Sequence, residues 1–192
     1  MILVLGLAAL MSGCANKVSY GDAHAVETTT VDFGSTDLQK IASDMVDNMM
    51  KSGSVAVITH NVRPIVFVEG IKNKTSEHID TESITDSIST KMLNSGKFRF
   101  VDMDRVEAVR QQLNFQNNDQ LVDKGSSIQF GKMVGAQYML YGNLSSIVKN
   151  AGSDKDVYYK MTMRLMDLKT GLIEWADEVE IRKDQSKSFL GL

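Results

Sequence analysis

Residues 157–165 read VYYKMTMRL, with Val157, Tyr159, Met161, Met163 and Leu165 at every second position. Apolar groups spaced two apart mark a strand with one buried face, because successive strand side chains point to opposite sides. The neighbouring stretches agree. Residues 137–147 (QYMLYGNLSSI) are β-rich, and within 172–181 Ile173, Trp175, Val179 and Ile181 share a face opposite Glu174, Glu178 and Glu180. Two short loops, around 150–156 and 169–171, join the three strands, so an antiparallel meander is expected.

Upstream the signal alternates between strand and helix. Residues 64–71 (PIVFVEGI) form a near-continuous apolar run, with Pro64 suited to a strand start. Residues 97–101 (KFRFV) alternate like a second strand. A first helix is expected after Thr36, with Gln39 completing a capping box and Leu38, Ile41, Met45 and Met49 as its stripe. A second should begin at Asp80, bury Ile84, Ile88 and Met92, and end before Gly96. A third is expected from Asp102, with Val106, Val109 and Leu113 as its stripe, and a fourth from Ser126 to about Gly135. Residues 54–60 fit either a strand or an irregular loop. The resulting order, α-β-α-β-α-α-β-β-β, is that of an α+β protein. Its mixed sheet has four to five strands, ends in the three-strand meander and is flanked by about four helices.

A chain of 192 residues is long enough for one domain with a real core. Its formal charge of -3 gives no electrostatic footprint for nucleic acid and no polybasic membrane patch. One cysteine, Cys14, makes neither an internal disulfide nor a zinc site. It follows MILVLGLAALM, an apolar run too short to span a bilayer but of signal-peptide length. That segment also fits an ordinary signal peptide or a buried first helix with an incidental cysteine. Residues 15–34 contain few large apolar groups and read as a flexible tether. Fully extended it would reach at most about 65–70 Å, and as a relaxed coil nearer 25 Å. The expected organisation is a signal segment over 1–14, the tether over 15–34, a globular domain over 35–183 and a polar tail over 184–192.

No catalytic constellation emerges. His24, His60 and His78 lack metal-ligand spacing, and no phosphate-cradling loop or nucleophile elbow is present. Ser146 and Lys149 match S-x-x-K, and residues 169–171 match K-T-G, as in penicillin-recognising serine enzymes. That chemistry needs the serine at the start of a buried helix. Here the motif falls at a strand end, where residues three apart point to opposite faces. Met45, Met49, Met92, Met161 and Met163 lie on expected core faces, so packing accounts for them better than a metal does. No cofactor and no metal site is expected.

Residues 11–14 (MSGC) resemble a bacterial lipoprotein signal, in which the cysteine is acylated and becomes the mature N-terminus. Two details depart from that pattern: Met11 stands where Leu is usual, and no basic n-region precedes the run, which points to a true start upstream. Ala15 after the cysteine, in that pattern, implies sorting to the outer membrane. The strings VEGIKNKT (68–75), NSGKFRFVD (94–102), VGAQYMLYG (134–142) and DLKTGLIEW (167–175) resemble the LpoB-type lipoproteins, in matching order from about Thr36 to Ile181. The resemblance implies a mixed sheet flanked by helices, related to the N-terminal domain of the TolB protein and to curli-secretion-type lipoproteins. It also implies a non-catalytic activator of a class A bifunctional penicillin-binding protein, docking on a regulatory domain of that synthase. Lys124, Lys132, Tyr141 and Asn143 fall at or near the family's partner-contact region. The well-known members carry a long Pro-rich tether, whereas this one is short and proline-free. The alternative is a cell-envelope assembly or secretion-type scaffold lipoprotein.

Overall fold

The computed structural model describes residues 19–27, 29–102, 134–152 and 154–186. Along the chain come α1 (Ser35–Lys51), α2 (Gly53–Ile58), β1 (Ile65–Lys74), α3 (Thr81–Asn94), β2 (Arg99–Phe100), β3 (Tyr138–Ala151), β4 (Asp154–Asp167) and β5 (Ile173–Gln185). The strands form one five-stranded sheet in the order β2-β1-β3-β4-β5. β1 is parallel to both β2 and β3, and β3, β4 and β5 are antiparallel, so the sheet is mixed and the meander is present.

The period-two signal in β4 sets the core. Leu165, Met163, Met161 and Tyr159 lie opposite Leu140, Gly142, Leu144 and Ser146 of β3. They share one buried cluster with Ile41, Met45 and Met49 of α1 and Ile84, Ile88 and Met92 of α3. Each such side chain, fully buried, contributes about 1.5–3 kcal/mol. Both helices therefore cover the same face of the sheet. Asp80 caps α3 as expected, its carboxylate accepting from the N–H groups of Glu82 (3.1 Å) and Ser83 (3.2 Å).

Several expectations are corrected. Residues 54–60, read as strand or loop, largely form the short helix α2, which buries Val55. The strand expected over 97–101 shrinks to two paired residues, Arg99 and Phe100. Ile173 is exposed rather than on the core face. The β4–β5 register shifts between Leu165 and Met166, so Glu174 is an extra residue that puts Ile173 out of phase with Trp175. β5 runs two residues beyond 183. α1 begins at Ser35, and Gly34 rather than Thr36 is its N-cap, with the Gly34 N–H donating to Asp37 (2.9 Å). The helix expected from Asp102 and most of the one expected from Ser126 lie outside the described residues, as do Cys14, Lys124 and Lys132.

The folded part also starts earlier than Ser35. Val31 is only 5% exposed and belongs to the core. The Phe33 ring meets Tyr159 edge-on with centroids 5.5 Å apart. Tyr159 donates its hydroxyl to the Val31 carbonyl (3.2 Å) and to Glu77, while the Phe33 N–H donates to Glu77 Oε2 (2.9 Å). Two isolated apolar residues in a polar run carry no periodicity, so composition alone marks the segment as tether.

Gly142 is the tight point of the central hairpin. A Cβ there would lie 2.3 Å from the Thr162 carbonyl oxygen and 3.0 Å from Met163 Cγ. Gly142→Ala should cost about 1–3 kcal/mol through overpacking, read as a lower urea midpoint at unchanged slope. A midpoint equal to wild type would show that the strands separate freely there. Burial, and then the Glu77 hydrogen bond, raise the Tyr159 phenol well above its ordinary value of 10.0. In alkali the unfolded chain loses that proton before the folded one does, so stability falls as pH rises through about 10. Tyr159→Phe should flatten the decline between about pH 9.5 and 11; chemical denaturation across that range would detect an unchanged slope if the phenol were not responsible.

Candidate partner interface

β3 runs through the middle of the sheet, and its two faces serve different ends. Leu140, Gly142 and Leu144 point to the helices; Tyr141 and Asn143, the intervening positions, point to the other face. There Tyr141 packs at the border of a second apolar cluster made of Phe67, Ala136, Met139, Met166 and Leu168. The structure thus brings together the two described members of the expected contact set. Both are half-buried, two positions apart on one strand.

Their neighbours were not singled out from sequence. Tyr141 is flanked by Arg164 on β4 and Gly70 on β1, and Asn143 by Thr162 and Lys72. Arg164 was legible by parity, since Met163 and Leu165 on either side are core residues. Gly70 was not. The β1–β3 register shifts between Val68 and Gly70, and Gly70 adopts φ +93°, a conformation that favours glycine. A Cβ built on Gly70 would meet no atom within 4 Å, so the bulge leaves open space on the strand beside Tyr141.

Charge is graded across this face. Lys72 and Lys74 are exposed on β1, and Arg164 is half-buried on β4. On the far side, Glu178 and Glu180 of β5 face Lys160, which pairs with Glu178 and lies 4.0 Å from Glu180. The Glu178 hydrogen bond holds the Lys160 ammonium above its ordinary range. The Glu180 hydrogen bond does the same for the Tyr158 phenol. Tyr158 also lies under the Arg182 guanidinium, 5.9 Å from ring centroid to carbon. A tyrosine and an arginine at the edge of an apolar patch, with lysines around them, have the composition of a protein-binding hot spot.

Among the described residues, chemistry finds no comparable foothold. Ser146 lies opposite Tyr159 and Lys149 opposite Asp156, on opposite faces of β3, so the S-x-x-K pair never converges. Residues 169–171 form the β4–β5 turn, where Asp167 Oδ1 accepts from the N–H groups of Lys169 (2.6 Å) and Thr170 (2.8 Å). That turn is eight strand residues from the position opposite Ser146, roughly 26 Å along β4. Among the described residues no group of three or more His, Cys, Asp or Glu side chains could hold a metal. Met45, Met49, Met92, Met161 and Met163 are all in the helix-facing core. A cleft of about 550 Å³ beside α1 contains Asp37 and Lys183, already paired to each other at 2.8 Å.

The comparisons with known proteins agree. A sequence model of one family, described as the peptidoglycan-synthase activator LpoB, matches residues 37–181. Among curated relatives, the penicillin-binding protein activator LpoB of Erwinia amylovora is 28% identical over 134 residues, covering 70% of this chain and 61% of its own length. That of Escherichia coli K12 is 29% identical over 112 residues, covering 58% of this chain and 49% of its own length. The chain spans about three fifths of the length of the first curated relatives it matches, 61% and 62%. In fold it is similar to the LpoB C-terminal domain from Escherichia coli, with a TM-score of 0.57 and 24% identity, over 76% of this chain and 98% of that domain. The family match runs from the first turn of α1 into β5 and takes in β1 to β4 and most of β5, so the chain belongs to the LpoB family of peptidoglycan-synthase activators.

Proposed function

We propose that this chain is a non-catalytic activator of a class A, bifunctional penicillin-binding protein in peptidoglycan synthesis. The observation that carries the reading is the family match over 37–181, which contains the Tyr141 face. The relatives are named as penicillin-binding protein activators, which supports the partner class. In this reading acylated Cys14 holds the protein at the outer membrane and the domain faces the periplasm. Tyr141 and Asn143, with Lys124 and Lys132, dock on a regulatory domain of the synthase. The described residues hold three helices against about four expected, and the helix expected from Asp102 and most of the one from Ser126 lie outside those residues. Activation needs no bond-making groups here, because a protein that binds the active conformation of its partner better than the inactive one shifts that equilibrium.

A second reading, a cell-envelope assembly or secretion-type scaffold lipoprotein, draws on one observation. β5 is an edge strand of 13 residues, and an edge of that length can template pairing with another chain.

The test adds the fragment from Ala15 onward to a bifunctional penicillin-binding protein of the same organism and follows glycan polymerisation. A saturable rate increase is expected. Tyr141→Ala should weaken binding at least tenfold, or about 1.4 kcal/mol, with the far-UV circular dichroism unchanged. Neither binding nor stimulation, together with concentration-dependent oligomers in ultracentrifugation, would replace this reading with the scaffold.

A further inference from the structure

We propose that the β3–β4 hairpin tip is the membrane-facing end of the domain, held in that orientation by residues 22–27 and 29–34 acting as a clasp. The proposal rests on the reading of Cys14 as a lipid anchor. The clasp is sewn down along its length. Gln39 Nε2 donates to the Ala23 carbonyl (2.7 Å), and His24 Nδ1 lies 3.1 Å from Gln39 Oε1. The Glu27 N–H donates to Thr36 Oγ1 (2.8 Å), and Glu27 Oε2 accepts from the Ser35 N–H (3.1 Å). Asp32 pairs with Lys155 (2.8 Å), and the Asp32 carbonyl accepts from Lys183 Nζ (2.8 Å). Thr36 and Gln39, which the sequence offers as a capping box for α1, hold this segment instead.

These contacts fix where the chain leaves. Lys183, which also binds Asp37 in the first turn of α1, lies opposite Val157, and Val157 lies opposite Val148. The start of α1 is therefore level with the end of the sheet that carries the β3–β4 tip. The opposite end holds the β4–β5 turn and the start of β1, where Val66 pairs with Tyr138 and Tyr138 with Asp167. β4 has 14 residues, so the two ends are roughly 45 Å apart. Cys14 precedes Asp22 by eight residues, which span at most about 29 Å when extended. The exit is level with Val157, ten strand residues or roughly 33 Å from Asp167, so a lead of at most about 29 Å favours the tip end over the far turn as the lipid-facing one.

The tip itself has the composition for that position. Ile147 and Val148 are 58% and 37% exposed, on opposite faces of β3. Lys149 lies beside them, with Tyr158 and Arg182 alongside and Asp154, Asp156 and Asp184 interspersed, so the tip is mixed in charge; Lys155 is held by Asp32. Exposed aliphatics framed by lysine, arginine and tyrosine suit the headgroup layer, where each group finds its own solvent. In this orientation Tyr141, ten residues along β3 from Ala151, is held roughly 33 Å beyond the lipid-facing tip. The sheet serves as the spacer that a short lead cannot provide.

The full-length acylated chain, reconstituted in vesicles of phosphatidylethanolamine and phosphatidylglycerol, tests this. Acylation leaves a cysteine introduced at Asn150 or Thr170 as the only free thiol for a fluorophore, to be quenched by spin-labelled headgroups. Quenching at least threefold stronger at 150 than at 170 is expected, and Val31→Asp, by opening the clasp, should narrow the difference. Equal quenching at the two positions in an acylated, vesicle-bound chain overturns the orientation alone. A chain whose Cys14 still reacts with maleimide and which fails to float with vesicles overturns the anchor, and the orientation with it.

Discussion

The register between β3 and β4 is the constraint from which the rest of this molecule follows. Fourteen consecutive pairs, from Tyr138 with Asp167 to Ala151 with Asp154, run without a shift. Side chains alternate with period two, so a slip of one residue would drive Arg164, Thr162 and Lys160 into the helices and expose Leu165, Met163 and Met161. Desolvating three such polar groups without partners would cost several kcal/mol, comparable to the whole stability of a small domain. Gly142 locks the same register by geometry, since the strands approach too closely there for any side chain. The helix-facing core and the Tyr141 face are two consequences of one alignment.

The other irregularities lie where the alignment is released. One extra residue in β1, at Glu69, and one in β5, at Glu174, shift the pairing with the neighbouring strand. Both bulges lie toward the end of the sheet away from the β3–β4 tip. The first clears the strand beside Tyr141, and the second turns Ile173 outward. Near the other end two carboxylates gather hydrogen bonds instead. Asp37 accepts from Gly34, at the positive end of the α1 dipole, and from Lys183; Glu77 accepts from Phe33 and Tyr159. A charge pair with side chains only 8% and 16% exposed is poor evidence of added stability, because desolvation offsets much of the attraction. Its effect is positional: the observed placement of residues 31–34 brings both carboxylates to their donors.

How much could be read from sequence depended on whether a signal was periodic. Val157 to Leu165 announced a strand and its buried face without help, and Leu38 to Met49 announced α1. Asp80 before an apolar stripe gave the cap of α3. What failed was local and aperiodic. Residues 53–58 (GSVAVI) are rich in β-branched groups yet form a helical turn, because Val55 reaches the core under α1. A single added residue at Glu174 changes no pattern that a window can detect. Val31 and Phe33 bury themselves against groups more than 40 positions away, Glu77 and Tyr159. The face carrying Tyr141 was partly legible, since parity from Met163 and Leu165 gives Arg164. The gap over Gly70 was not, because a strand glycine announces neither its φ nor the bulge before it.

An activator of the proposed kind can shift its partner only by the difference between its affinities for the two partner states; each tenfold of preference supplies about 1.4 kcal/mol. A floppy surface would spend much of that difference on ordering itself, since each immobilised long side chain costs about 0.5–1.5 kcal/mol. Here Tyr141, Arg164 and Asn143 are already set by strands whose other face is filled core. A rigid sheet with the proposed contact residues far from the proposed anchored end would therefore pass binding free energy to the partner rather than into the activator. The proposed clasp would serve the same logic, because a rigid surface helps only if it is also aimed.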